Sequence, residues 1–363
     1  MRVRRVTAVL CALGAALMAA GPAGAVVGSP AVYDTACITT PTAQFSPAPD
    51  GWVRGFLETG CNGDSIDYST FNPGHNRGTL HVATPYKGQV LATTQDAQAS
   101  YLLYRATDGV RIAKVLHDGT MTHGNLLSPA VGGGLEGTVA ARGGTWLAIW
   151  TEPKASGGFG MHEAGSRNYV VSPKDRILPA GAGVDDSAPS LAAAATGPGF
   201  VLAFSRHTAS GYHLLLAHSS RTWSTPREID NGVENPEADL IRSGSASYLT
   251  WMHGRTVMLA TTAGSSGPVG LHTVAVPQAP GTAPVTNPRV AISCNRLYVG
   301  FQAGSENSGA VFADTRVAGG AWVRHTVRVS SSTGLVLAGI APHCASGAVM
   351  WTEAAVLHGA MVS

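Results

Sequence analysis

Charge is scarce in this chain: Asp, Glu, Lys and Arg make up 13% of its 363 residues. Helical patterning is scarcer still. Outside the N-terminus no stretch of twelve or more residues carries apolar positions at helical spacing. No apolar run beyond Val6–Ala20 is long enough to span a bilayer, which argues against membrane insertion. The thirteen histidines show no metal-ligand spacing. His213 and His218 flank one strand at an odd offset and fall on opposite faces, so no metal site is expected. No glycine motif opens a helix to cradle phosphate, since Gly132-Gly133-Gly134 sits between strands, and no cofactor is expected.

The N-terminus has the form of an export signal. Arg2, Arg4 and Arg5 precede the apolar Val6–Ala20, and Ala23-Gly24-Ala25 is a small-residue cleavage site. Residues 1–25 are therefore expected to be removed and the protein to be secreted. Taking those arginines from 24 basic residues leaves 21 against 22 acidic ones. A chain so balanced lacks the concentrated positive face that nucleic acid or an anionic membrane requires. Four cysteines follow the signal: Cys37, Cys61, Cys294 and Cys344. An even number in an exported chain points to two disulfides, and proximity favours Cys37–Cys61 and Cys294–Cys344 among the three pairings.

What the chain does have is glycine (45), proline (21) and short apolar runs between turns. Pro189–Ile229 shows the unit: strand-like runs at Ser190–Ala194, Phe200–Phe204, Tyr212–Ala217 and Trp223–Ile229, separated by Gly/Pro/Ser turns. Corresponding second strands begin at Gln89, Thr145, Phe200, Ser247, Arg296 and Gly347, at spacings of roughly 47 to 56 residues. Small apolar first strands precede them, from Leu80–Ala83 to Leu335–Ile340. The expected fold is all-β: a six-bladed β-propeller of four-stranded antiparallel blades, with a seven-bladed ring or a β-sandwich pair as alternatives. The last unit ends at Ser363 after three strands, so an N-terminal strand, Trp52–Thr59 or Val32–Cys37, is expected to close the ring and remove a free edge. Residues 26–51 read as a lead-in, with Cys61–Asn76 as a polar loop, and 52–363 as a single domain.

Several runs resemble the sialidase-like (Asp-box) propeller superfamily. Arg77–Ala92 (RGTLHVATPYKGQVLA) is similar to its first-blade pattern, although the Arg-Ile-Pro start is here Arg-Gly-Thr. Arg105–Ile112 (RATDGVRI) resembles an Asp box without its Ser and Trp. Ser219–Pro226 keeps the Trp-Ser-x-Pro ending, and Ala313–Trp322 is a partial match. The resemblance implies recognition of a sugar carboxylate by three arginines, for which Arg77, Arg206 and Arg289 are the arrangement available. It also implies a Tyr nucleophile, a Glu that activates it and an Asp acid. The last unit, Thr333–Ser363, has no Tyr, and Tyr298 lies on a second strand where packing is expected.

A propeller gathers the loops before first strands and after second strands on one face. That face is expected to carry His75, Arg77, Asp96, Glu136, Glu152, Asp185, Asp186, Arg206, His207, Glu234, Asn235, Glu237, His253, Asn287, Arg289, Gln302 and Glu353. Catalytic candidates are Asp96, Asp185, Glu234 and Glu237. Binding candidates are Arg77, Arg206, Arg289, His207, Asn235 and His253. Gly63-Asp64-Ser65 reads as a turn, not a nucleophile motif. Trp146, Trp150, Trp251 and Trp351 are assigned to packing between blades. The expectation is a monomer that binds an extracellular glycan or a secreted or cell-surface protein with catalysis lost. An active exo-sialidase-type hydrolase and a protein–protein platform are the alternatives.

Overall fold

The structure is a computed structural model. It describes most of residues 31–363; residues 1–30 and connecting segments such as 35–43, 60–64, 167–176 and 276–284 lie outside the description. The segment read as an export signal, His75, Glu234 and Asn235 are among the undescribed residues.

The described strands form seven antiparallel sheets. The first sheet is β2 (Gln44–Pro47), β3 (Val53–Thr59), β4 (Ser65–Asn72) and β5 (Arg77–Ala83). The second is β6 (Gln89–Gln95), β7 (Ala99–Ala106), β8 (Gly109–Leu116) and β9 (Asn125–Pro129). The third has three described strands, β10 (Gly137–Arg142), β11 (Thr145–Pro153) and β12 (Phe159–Gly165). The fourth is β13 (Asp185–Ala193), β14 (Phe200–Thr208), β15 (Gly211–Ser219) and β16 (Arg227–Val233). The fifth is β17 (Ala238–Ser243), β18 (Ala246–His253), β19 (Thr256–Ala263) and β20 (Val269–Ala275). The sixth is β21 (Val285–Ser293), β22 (Arg296–Ser305), β23 (Ser308–Val317) and β24 (Val323–Ser330). The seventh is β25 (Val336–Pro342), β26 (Gly347–Glu353) and β27 (Val356–Val362), with β1 (Ala31–Asp34) paired antiparallel to β27.

First strands are neighbours. β2 packs against β6, β6 against β10, and so on through β13, β17, β21 and β25, and β25 packs against β2. The apolar cores lie between successive sheets. Leu91 and Tyr101 meet Val139 and Trp150 between the second and third, and Tyr298 and Val311 meet Ile340 and Trp351 between the sixth and seventh. This follows from period-2 strands with apolar residues on both faces, since each sheet needs a partner on either side.

Seven sheets stand where the repeat spacing suggested six units. The difference lies at the N-terminus. Cys61–Asn76, read as a loop, contains β4, whose Ile66 and Tyr68 are fully buried. Leu80–Ala83, read as an innermost strand, belongs to β5, the last strand of the first sheet, and Gln89–Gln95 is a first strand. The small residues and polar tone of Asn62–Asn76 concealed the alternation that Ile66, Tyr68 and Thr70 carry. The segment read as a lead-in supplies β1 to the seventh sheet and β2 to the first, and Trp52–Thr59 corresponds to β3, inside the first sheet.

The second strands share a pattern. Trp150, Phe204, Trp251, Phe301 and Trp351 occupy matching positions and all are at most 1% exposed. Trp146 is also buried, so the four tryptophans assigned to packing do pack. Indole N–H groups at such depth need acceptors. Trp150 donates to Glu152 Oε1 (2.7 Å), Trp251 to Asp230 Oδ2 (2.6 Å) and Trp351 to Glu353 Oε2 (3.4 Å). Tyr298 lies fully buried against Gly347, where an added Cβ would meet its ring at 2.7 Å.

Trp351→Ala is expected to lower stability by about 3–5 kcal/mol, read as a fall in the urea midpoint at unchanged slope. A loss below about 1 kcal/mol would contradict the packing role given to this residue.

Candidate functional site

A cavity of ≈ 860 Å³ runs along six of the seven first strands, β6, β10, β13, β17, β21 and β25. Its upper mouth is defined as the end where these strands begin and its lower mouth as the end where they finish. Small residues, among them Ala140, Ala192, Ala193, Ala291, Ala338 and Gly339, line it together with aliphatic ones such as Leu91 and Ile340.

A first strand pairs with its second strand on one side only, so its other edge presents amides that need acceptors. The preceding strand supplies them. Thr138 Oγ1 accepts from Leu191 N (3.0 Å), Ser190 Oγ from Leu240 N (2.9 Å) and Asp239 Oδ2 from Val290 N (2.8 Å). One turn higher, Glu136 Oε2 accepts from Ala188 N, and Glu237 Oε2 from Asn287 N (2.7 Å). Ala188 and Asn287 have φ of 46° and 53°, sit at register shifts in β13 and β21, and precede Pro189 and Pro288. A proline within a strand marks such a bulge. That signal was present in Ser-Ala-Pro-Ser and Thr-Asn-Pro-Arg, and the sequence reading did not use it.

The upper mouth therefore gathers Glu136, Glu237, Asp239 and Arg289 at the cavity wall. Burial pushes Asp239 above the usual carboxylate range, against the opposing pull of the Arg289 guanidinium and of the Val290 and Leu240 amides. Arg289 also donates to Pro288 O (3.2 Å).

Other expected site residues are placed elsewhere or engaged in pairs. Asp96 follows β6, at the lower mouth, not the upper. Its Oδ2 accepts from Gly144 N (2.7 Å) and Tyr101 Oη (3.3 Å), and its Oδ1 from Gln98 N and Ala99 N, which makes it a turn anchor between two sheets. Arg77 opens β5, at the far end of its sheet from β2, whereas Arg289 is on a first strand. Arg206 forms a two-pronged pair with the buried Asp186 (2.7 and 3.1 Å) and donates to Leu178 O (3.0 Å). Arg77, Arg206 and Arg289 thus stand on strands of different rank, one on a last, one on a second and one on a first strand. Asp185 Oδ1 accepts from Phe159 N (2.9 Å). His207 packs its ring on Tyr212 at 4.6 Å, and His253 pairs with Asp230 at 2.9 Å. Glu152 is fully buried beside His162. Gln302 donates to Leu335 O (2.7 Å). Cys294 is disulfide-bonded; Cys37, Cys61 and Cys344 lie outside the described residues, and the pairing with them.

Glu353 is bound by Arg328 through both prongs (2.7 and 2.9 Å), across from the sixth sheet to the seventh. That pair and Ser330 hold its carboxyl down to about 2. Tyr298 moves the other way, pushed up to about 12 by burial, which suits a packed phenol and not a nucleophile.

No protein-family model matches the chain, and no curated protein matches its sequence. Solved structures do match. An ulvan lyase of polysaccharide lyase family PL25 aligns over 93% of this chain and 93% of its own, at 9% identity and a TM-score of 0.54. A protein of unknown function from Dyadobacter fermentans covers 94% and 100%, at 11% identity and 0.51. The Aleuria aurantia lectin, solved with Fucα1-6GlcNAc, covers 80% and 96%, at 17% identity and 0.50. At these identities the likeness is one of fold.

Two pH responses follow. Glu353, with its folded pKa depressed, contributes stability that is present above its unfolded value of about 4.5 and lost as pH falls toward about 2. Arg328→Ala is expected to shrink that acid-limb loss in thermal melts. Asp239 has the opposite sign: its charged form is disfavoured in the fold, so Asp239→Asn is expected to raise the melting temperature at pH 7, a difference that vanishes once wild-type Asp239 is protonated at low pH. A pH-independent difference would contradict the burial effect.

Proposed function

We propose that the chain is a secreted seven-bladed β-propeller that binds an extracellular glycan at the upper mouth of its central cavity, without hydrolysing it. The observation that carries this reading is the mouth itself: Glu136, Glu237 and Asp239 around a cavity of ≈ 860 Å³, with Arg289 as the opposing charge. Carboxylates at fixed positions are good acceptors for sugar hydroxyls or an amino group. They repel a sugar acid, since like charges in a partly desolvated site cost several times what they cost in water. The ligand class is therefore a neutral or amino sugar. The folds of the ulvan lyase and the fucose-binding lectin support a glycan as ligand by analogy alone.

An active sialidase-type hydrolase is the alternative. It is disfavoured because Arg206 is committed to Asp186 and Tyr298 is buried in packing. A protein–protein platform is the third reading, and nothing on the cavity wall favours it.

A glycan array followed by calorimetry tests the proposal. Neutral or amino sugars are expected to bind, with Glu237→Gln weakening the hit by about tenfold while the melting temperature stays close to wild type, because Gln keeps an acceptor for Asn287 N. Turnover of a fluorogenic sialoside that disappears in Arg206→Ala would overturn the proposal. A blank array together with specific retention of a secreted protein would transfer the site to the third reading.

A further inference from the structure

The lower mouth, where Asp96 is already bound by the amides of Gly144, Gln98 and Ala99, carries two arginines. Arg142 ends β10 and Arg242 lies one residue before the end of β17, and both line the cavity. The strand between them, β13, finishes in Ala192 and Ala193. Strand parity decides where the two arginines lean. Thr138 reaches toward β13, because it accepts from Leu191 N, and Arg142 is four residues on, on the same face. Asp239 reaches toward β21, because it accepts from Val290 N; Arg242 is three residues on, on the opposite face, toward β13. Neither β10 nor β17 has a bulge over these residues, so the parity holds.

We propose that Arg142 and Arg242 converge over the alanine end of β13 and form an oxyanion site at the lower mouth, for a sulfate, phosphate or carboxylate group. Two guanidinium groups leaning to one point are the donor set that such anions take, with paired N–H forks matched to paired oxygens. The two charges act on each other: burial first, then Arg142, lowers the pKa of Arg242, and Arg242 in turn acts on His218 of β15, already depressed by burial. An anion seated between the arginines would relieve that repulsion. The short side chains of Ala192 and Ala193 leave the space beneath it open. This site is separate from the upper mouth and stands or falls without it.

Calorimetric titration at fixed ionic strength tests the proposal, with inorganic sulfate, galactose 6-sulfate and galactose as probes. Wild-type protein is expected to bind inorganic sulfate saturably. Arg142→Ala, at an exposed position, and Arg242→Gln are each expected to weaken binding by about tenfold or more. Tighter binding of galactose 6-sulfate than of sulfate, with no response to galactose in the same site, assigns the anion to a sugar; binding of sulfate alone assigns it to a free anion. Either supports the site. No saturable sulfate binding in folded wild-type protein, or unchanged affinity in both variants, overturns it. Binding of neutral sugars at the upper mouth is expected to be unaffected by Arg142→Ala, which keeps the two proposals distinguishable.

Discussion

The unpaired edge of each first strand is the constraint on which the rest of this structure depends. An antiparallel sheet leaves one row of amides and carbonyls unmatched at its inner edge, and a buried unmatched amide costs on the order of 1–3 kcal/mol. Here a side chain from the preceding strand meets it: Thr138, Ser190 and Asp239 at one level, Glu136 and Glu237 at the next. Sheets are thereby set at a fixed offset around the cavity. The polar groups at the upper mouth are held in place by the same bonds that fasten sheet to sheet.

Apolar packing supplies the other half of the arrangement. Aromatic residues at matching positions of the second strands fill the space between neighbours, and carboxylates two residues on or on the preceding sheet take up the indole N–H groups. The carboxylates are then bound by cations where they can be reached, as Glu353 is by Arg328. Where a guanidinium already has a buried carboxylate, as with Arg206 and Asp186 or Arg324 and Asp314, its charge is engaged in the fold. The cavity is left with Glu136, Glu237 and Asp239 around Arg289 at one mouth and with Arg142 and Arg242 lining it at the other.

Much of the architecture was legible in the chain. Runs of four to six apolar residues at regular intervals, divided by Gly, Pro and Asn, gave an all-β fold of antiparallel sheets, and the repeat was read correctly from Thr145 onward. Trp146, Trp150, Trp251, Trp351 and Tyr298 were correctly placed in packing, since large rings on two-faced strands have few other places to go. The first sheet was missed as a unit because β4, rich in Ser, Thr and Asn, reads as a loop, and β2 lies in the segment read as a lead-in. That slip displaced the phase of the first unit by one strand, and with it Arg77 and Asp96.

By itself, then, the sequence determined the class of structure, the period of the repeat and the residues that fill the cores, because local alternation and turn chemistry are encoded within a few residues of where they act. Which charged groups meet was decided by tertiary structure alone. Glu136 finds Ala188 and Asp239 finds Val290 only once the first strands of successive sheets are set side by side, and Arg142 acts on Arg242 only across the strand between them. A charge on a strand end has no partner until the neighbouring strand's register is fixed, and that register comes from packing and edge bonds that no short stretch of chain contains.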